Sequence, residues 1–129
     1  MILAIDPGTS KCGLAVLTKA GQVVARAVLA RAELAGRLPG LLRQYDVSTL
    51  VIGLSAQGRR LAEELAALPG LPEISFITEK NSTLEARRLY WQENRPSGLW
   101  RLVPESLRPI LVAIDDHAAV ILGQRYLKT

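Results

Sequence analysis

The sequence predicts an α/β domain built on a five-stranded mixed sheet, three antiparallel strands followed by parallel ones, with helices on both faces. Three observations predict it. Between Met1 and Leu29, three short apolar runs follow one another with only tight turns between them, the pattern of an antiparallel meander. Beyond that point strand-like and helix-like stretches alternate, which builds parallel strands joined by crossovers. The first run is apolar throughout and is cut off by a turn signal, as a strand covered on both faces would be.

The elements follow in order. Met1–Ile5 is the first strand, closed by Asp6-Pro7-Gly8, three residues that favour a turn. Gly13–Thr18 and Gln22–Leu29 are the second and third, with Ala20-Gly21 between them. From Ala32 to Tyr45, Leu34, Leu38, Leu41, Leu42 and Tyr45 recur at helical spacing, with Pro39-Gly40 weakening the middle. Thr49–Leu54 is a strand, Gly58–Leu68 a helix with Leu61, Leu65 and Leu68 on one face, and Glu73–Thr78 a further strand. Asn81–Trp91 carries Ser82 and Glu85 at the spacing of a capping box and reads as a helix. Asn94–Pro104 reads as a loop, and a last helix runs from near Pro109 to about Leu127.

Composition narrows the class. A chain of 129 residues with 49% apolar and 22% charged residues suits one globular domain, residues 1–129, and not a disordered chain. No apolar run approaches the ~20 residues of a membrane span, and Met1–Ile5 meets Asp6 too early for a signal peptide. A single cysteine, Cys12, excludes internal disulfides and cysteine-based zinc sites. These features point to a cytoplasmic protein. The net charge of +4 and the pI near 9.6 point weakly to an anionic partner. Twelve of the sixteen basic residues are arginine, whose planar fork fits phosphate oxygens.

Most acids, Glu33, Glu63, Glu64, Glu85 and Glu93 among them, sit on helix faces between basic residues and read as solvated charges. Four differ. Asp6 ends the first apolar strand, Glu79 follows another, and Asp115 and Asp116 interrupt an otherwise apolar helix. Charges in such surroundings are costly unless they are paired or bound to a cation. If the two strands share a sheet and the last helix crosses it, the carboxylates of Asp6 and Glu79 can converge at the sheet edge with those that the last helix carries, Asp115 and Asp116. Two carboxylates ~4 Å apart repel by about 4 kcal/mol at an effective dielectric of 20, so three together need a cation. All-oxygen ligands suit Mg²⁺ or Mn²⁺, and two such ions can activate water against a phosphodiester. The plainer reading makes Asp6 a turn residue and Glu79 a helix-entry charge, and pairs Asp115 and Asp116 with Arg108 or Arg125.

These same segments resemble the YqgF/RuvX family. Asp6-Pro7-Gly8-Thr9-Ser10-Lys11-Cys12-Gly13 is similar to its Asp-x-Gly-Thr…Gly opening. Thr78-Glu79-Lys80-Asn81-Ser82-Thr83-Leu84-Glu85-Ala86 is similar to its Asp-Glu-Arg-x-Ser/Thr-Thr-x-x-Ala segment. Asp115-Asp116-His117-Ala118-Ala119-Val120-Ile121-Leu122 is similar to its last helix, and Val51-Ile52-Gly53-Leu54 sits where the family has Val-Gly-Leu-Pro. The resemblance implies an RNase H-like fold and a nuclease acting on structured RNA or branched DNA. Asp6, Glu79 and Asp115 are then the catalytic, metal-binding triad, holding two Mg²⁺ or Mn²⁺ ions. The implied function is maturation of the 16S ribosomal RNA precursor. Its alternative is Holliday junction resolution in DNA recombination, which needs a homodimer rather than a monomer. The related RuvC resolvases also open with Asp-Pro-Gly and carry two acids or a His near the end, which gives Asp116 and His117 an accessory role. Thr78, Lys80, Ser55 and Ala56 depart from the family pattern, as does the segment Arg95–Arg108.

Candidate nucleic-acid contacts are Lys11 and Lys80 beside the acids, the pairs Arg59-Arg60 and Arg87-Arg88, and Trp100 with Arg101. The basic residues would hold phosphates without reading sequence, and Trp beside Arg is a stacking platform for unpaired bases. Their plainer readings are solvated helix faces and a core tryptophan. His117 would serve as a general acid or metal ligand, or else as a surface or capping histidine. Two other functions compete. The Asp-x-Gly-Thr opening also resembles the first phosphate motif of the actin/sugar-kinase superfamily, which holds ATP between two such domains where this chain supplies one. A non-catalytic nucleic-acid-binding protein on the same scaffold is the other. Setting the three acids aside leaves 9 acids against 16 basic residues, or +7, a negative pocket in a positive field that a binding module would not need.

Overall fold

The computed structural model describes residues 1–79, 82–93 and 115–128. Strands β1 (Ile2–Asp6), β2 (Lys11–Leu17) and β3 (Val23–Ala30) precede helix α1 (Arg31–Gln44). Then come β4 (Thr49–Leu54), α2 (Ala56–Leu65), β5 (Glu73–Thr78), α3 (Ser82–Glu93) and α4 (Asp115–Leu127). The five strands form one sheet in the order β3-β2-β1-β4-β5. β1 is antiparallel to β2, from Ile2 opposite Leu17 to Asp6 opposite Gly13, and β2 is antiparallel to β3. β4 runs parallel to both β1 and β5. The mixed sheet is therefore as expected.

β1 is the central strand, and its alternation divides the core. Leu3 and Ile5 face one side with Leu14, Val16, Leu50 and Ile52, covered by Leu34 and Leu38 of α1 and Leu61 and Leu65 of α2. Ile2 and Ala4 face the other with Ala15, Leu17 and Val51, covered by Ala119, Val120 and Leu122 of α4. Burial on both faces is why these strands lack a polar stripe.

Element boundaries move for physical reasons. α1 continues through Pro39. Proline forfeits one backbone hydrogen bond, but the packing of Leu34 and Leu38 against the sheet holds the helix together. α2 begins two residues before Gly58 because Ser55 caps it, its Oγ accepting from the Gly58 N–H at 3.0 Å. α3 runs two residues past Trp91 to Glu93. The loop 94–104 and the start of the last helix near Pro109 lie outside the described residues. Among the described residues, no helix is long and apolar enough to cross a membrane.

α4 approaches the sheet closely at Gly123. A Cβ there would lie 2.6 Å from Leu17 Cδ1 and 3.3 Å from Ala4 Cβ. Gly123→Val should therefore destabilise the fold by about 1–3 kcal/mol, as overpacking does. Urea unfolding measures it, and an unchanged midpoint would contradict this packing.

Candidate active site at the carboxyl end of the central strands

Asp6 is the last residue of β1. Ile2 and Ala4 point into the α4-facing core, so Asp6, two residues on, points to that same face. The chain then turns through Pro7–Ser10. Gly8 is required there, because a Cβ would collide with the Lys11 carbonyl. Arg31, at the start of α1, secures this turn. Its Nη1 donates to the Gly8 carbonyl at 3.1 Å and its Nη2 to Glu64 Oε1 at 3.3 Å, while its backbone N–H donates to the Ser10 carbonyl at 2.8 Å. Nothing in the sequence singled out Arg31, since its partners lie on two other elements.

Glu79 follows β5 directly. Its strand is separated from β1 by β4, and its side chain lies over β4. A Cβ on Gly53 would run into the Glu79 side chain, carboxylate included, so Glu79 lies back over the end of β4. Ile5 pairs with Ile52, so Gly53 continues the register beside Asp6. Adjacent strands lie about 4.8 Å apart. Asp6 and Glu79 are thereby brought into neighbouring rows on one face of the sheet. α2 enters at the same place, where a Cβ on Gly58 would collide with the Gly53 carbonyl.

Arg125 of α4 anchors the residue before Glu79. Its Nη1 donates to the Thr78 carbonyl at 2.8 Å, and its Nη2 to Glu85 Oε1 at 2.6 Å. The other end of the α3–α4 pair is tied to β3. Arg26 Nη1 donates to both oxygens of Glu93 at 3.0 and 3.1 Å, and Glu93 Oε2 lies 3.0 Å from His117 Nε2. The His117 ring also stands edge-on to Tyr90, with centroids 5.8 Å apart. α3 and α4 therefore run antiparallel, the first turn of α4 tied toward β3 and its last toward the end of β5. At 1.5 Å per residue, Asp115 lies about 15 Å along α4 from Arg125. Glu79 lies on the β4 side of Asp6.

The sequence candidates divide accordingly. The Glu79 side chain lies over Gly53, in the strand row next to that of Asp6. The side chains of Asp115, Asp116 and Arg87 lie outside the described residues, as do Lys80, Trp100 and Arg101. Lys11, Arg59, Arg60 and Arg88 are exposed; Lys11 opens β2, and Arg59 and Arg60 lie in the first half of α2, which follows β4. His117 is buried, only 7% exposed, with Nε2 3.0 Å from Glu93 Oε2, so it is not a surface histidine. Arg125 turns to Thr78 and Glu85, and Glu64, Glu85 and Glu93 are ion-paired across elements rather than merely solvated. Among the described residues, no three potential ligands of the His, Cys, Asp and Glu types cluster as a metal site.

This five-stranded arrangement, flanked by helices, is the RNase H-like fold. RuvC of Thermus thermophilus has a similar structure, with a TM-score of 0.55 and 12% identity, the match covering 97% of this chain and 93% of that one. A chain from Cytophaga hutchinsonii assigned to the sugar kinases gives 0.48 at 16% identity, over 67% of this chain and 38% of that one. A ROK-family transcriptional regulator homologous to E. coli Mlc gives 0.46 at 14%, over 69% and 30%. The chain thus spans only about a third of the latter two. No family model and no curated protein matches the sequence.

Two predictions follow from this geometry. Burial pushes the Glu93 carboxyl up, but hydrogen bonds and charge from Arg26 and His117 outweigh it and hold the group below its usual range. A carboxyl lowered on folding stabilises above its unfolded value, about 4.3 for glutamate, and loses that contribution as pH falls through the folded value. Wild type should thus be more stable than Glu93→Gln at neutral pH, with the gap closing in acid; a gap that persists in strong acid would contradict the assignment. On the proposal made below that Asp6 and Glu79 hold a divalent ion, Gly53→Ala pushes the Glu79 carboxylate aside and should weaken Mn²⁺ binding by about 10–100-fold, the cost of disturbing a ligand's support. Calorimetric titration of the folded variant measures it.

Proposed function

We propose that this chain is a divalent-metal-dependent nuclease that hydrolyses phosphodiester bonds in structured nucleic acid. The observation that carries the reading is the Glu79 side chain laid across Gly53 toward the strand that ends in Asp6. An ordinary surface glutamate has no reason to occupy the space of a missing side chain beside another acid. The donors are hard oxygens, which fit Mg²⁺ or Mn²⁺. Asp6 and Glu79, with Asp115 from α4, would hold the metal, probed best as two ions. When bound, the metal supplies charge stabilisation at the scissile phosphate and a water of lowered pKa.

The remaining work falls to the chain itself. Gly8 leaves the turn after Asp6 free of a side chain where a phosphate would approach, and Arg31 keeps that turn in place. Lys11, Arg59 and Arg60 supply positive charge at the rim, positioning the backbone without selecting bases. Arg125 holds the carbonyl of Thr78 and so fixes where Glu79 leaves the sheet.

Precursor 16S ribosomal RNA is the substrate that the YqgF/RuvX resemblance supports. A four-way DNA junction is the second reading, favoured by the Asp6-Pro7-Gly8 opening and by the similarity to RuvC over 97% of the chain. Cleavage of structured RNA, single-stranded DNA and a four-way junction with Mn²⁺ or Mg²⁺ separates them. Asp6→Asn and Asp115→Asn should each lower the rate at least about 100-fold, the scale of losing one preorganised electrostatic contact. Binding without cutting by the wild type would replace the enzyme with a nucleic-acid-binding scaffold.

A further inference from the structure

β3 is an edge strand of eight residues, and β2 occupies one of its sides. Among the described residues, nothing pairs with the other. The strand is exposed along most of its length, with Val23, Val24 and Val28 at 41%, 45% and 39%. Monomeric proteins blunt such edges with lysine, proline, a bulge or a covering element. β3 contains neither lysine nor proline. Its one irregularity, the extra residue Val24, falls at the hairpin end and leaves Ala25–Ala30 in regular register with Lys11–Val16. Its only charge, Arg26, is neutralised by Glu93 within the same chain.

We propose that this edge is a dimerisation strand, on which β3 of a second copy of the chain pairs antiparallel to make one ten-stranded sheet. A two-fold contact must be self-complementary, and Ala25–Leu29 is so about Ala27. Ala27 then faces Ala27 of the second copy, Ala25 faces Leu29, and the aliphatic stem of Arg26 lies against Val28, a packing that long charged side chains accept. Charge complementarity favours this edge over the rest of the surface. The chain carries +4, yet here each Arg26 arrives with its own Glu93, so the axis brings together two cations and two anions.

An axis at Ala27 perpendicular to the sheet keeps both α4-facing surfaces on the same side. Asp6 is level with Gly13, and Gly13 with Val28, one residue from the axis. With strands about 4.8 Å apart, the two Asp6 residues stand about 25 Å apart. If the nuclease reading holds, the dimer therefore presents two sites to one substrate, as a branched or duplex molecule cut on two strands requires.

Sedimentation equilibrium of the whole chain should give twice the 14.0 kDa chain mass. Val28→Lys should raise the dissociation constant about tenfold or more, since it sets like charges against each other across the pair, with circular dichroism unchanged. Phe76→Lys, on the opposite sheet edge, should leave the dimer intact. Ala27→Cys should cross-link to itself on oxidation, Cys12 being buried. A wild-type monomer at high micromolar concentration, an open-ended oligomer, or a dimer lost in Phe76→Lys but kept in Val28→Lys would each overturn the proposal. These masses do not depend on cleavage, so a dimer that cuts nothing would sink the nuclease reading and leave this one standing.

Discussion

The arrangement depends on a missing side chain. β4 separates the strands that deliver Asp6 and Glu79, and a side chain at its Gly53 would meet that of Glu79. Because position 53 is glycine, the Glu79 side chain lies across β4. On the reading proposed above, a bound cation would offset the repulsion between the two carboxylates. The local chain then has a reason to be as it is: a tight turn after Asp6, a helix entering over Gly53, and basic residues at the rim.

The second theme is the use of arginine. Composition suggested a surface made for phosphate, but three of the twelve arginines serve the fold. Arg31 fastens the turn after Asp6, Arg125 fastens the end of β5, and Arg26 joins β3 to α3 and α4 through Glu93. Each spans elements distant in sequence: Arg31 and Arg125 use both arms of the planar fork to reach two acceptors, and Arg26 Nη1 reaches both oxygens of Glu93. The two ties on α3 and α4, Glu85–Arg125 and Glu93–His117, fix how α4 lies on the sheet. They therefore bear on where Asp115 stands relative to the other acids.

Much of this was legible in the chain. The apolar runs mark all five strands, and Thr49–Leu54 and Glu73–Thr78 keep the bounds the sequence predicts. Local chemistry of this kind is read from neighbours. Asp6 and Glu79 stood out because charge at the end of an apolar strand is anomalous in a short window. What escaped was non-local. That Glu93 binds Arg26, 67 residues away, leaves no trace around either residue, so Glu93 read as a solvated charge and its contact with His117 went unseen. The Ser55 cap was readable in principle, since serine before Gly58 satisfies an orphan N–H, but the glycine drew the helix start to itself. The continuity of α1 through Pro39 was not readable, because tertiary packing decides it.

The central claim is that Asp6 and Glu79 share a divalent cation, and direct titration of Mn²⁺ into the protein without nucleic acid tests it. Wild type should bind the ion, and Asp6→Asn and Glu79→Gln should each weaken binding while unfolding at temperatures close to that of the wild type. Equal affinity in all three proteins would place the metal elsewhere. A folded wild type that binds no Mn²⁺ would return Asp6 to a turn residue and Glu79 to a surface charge.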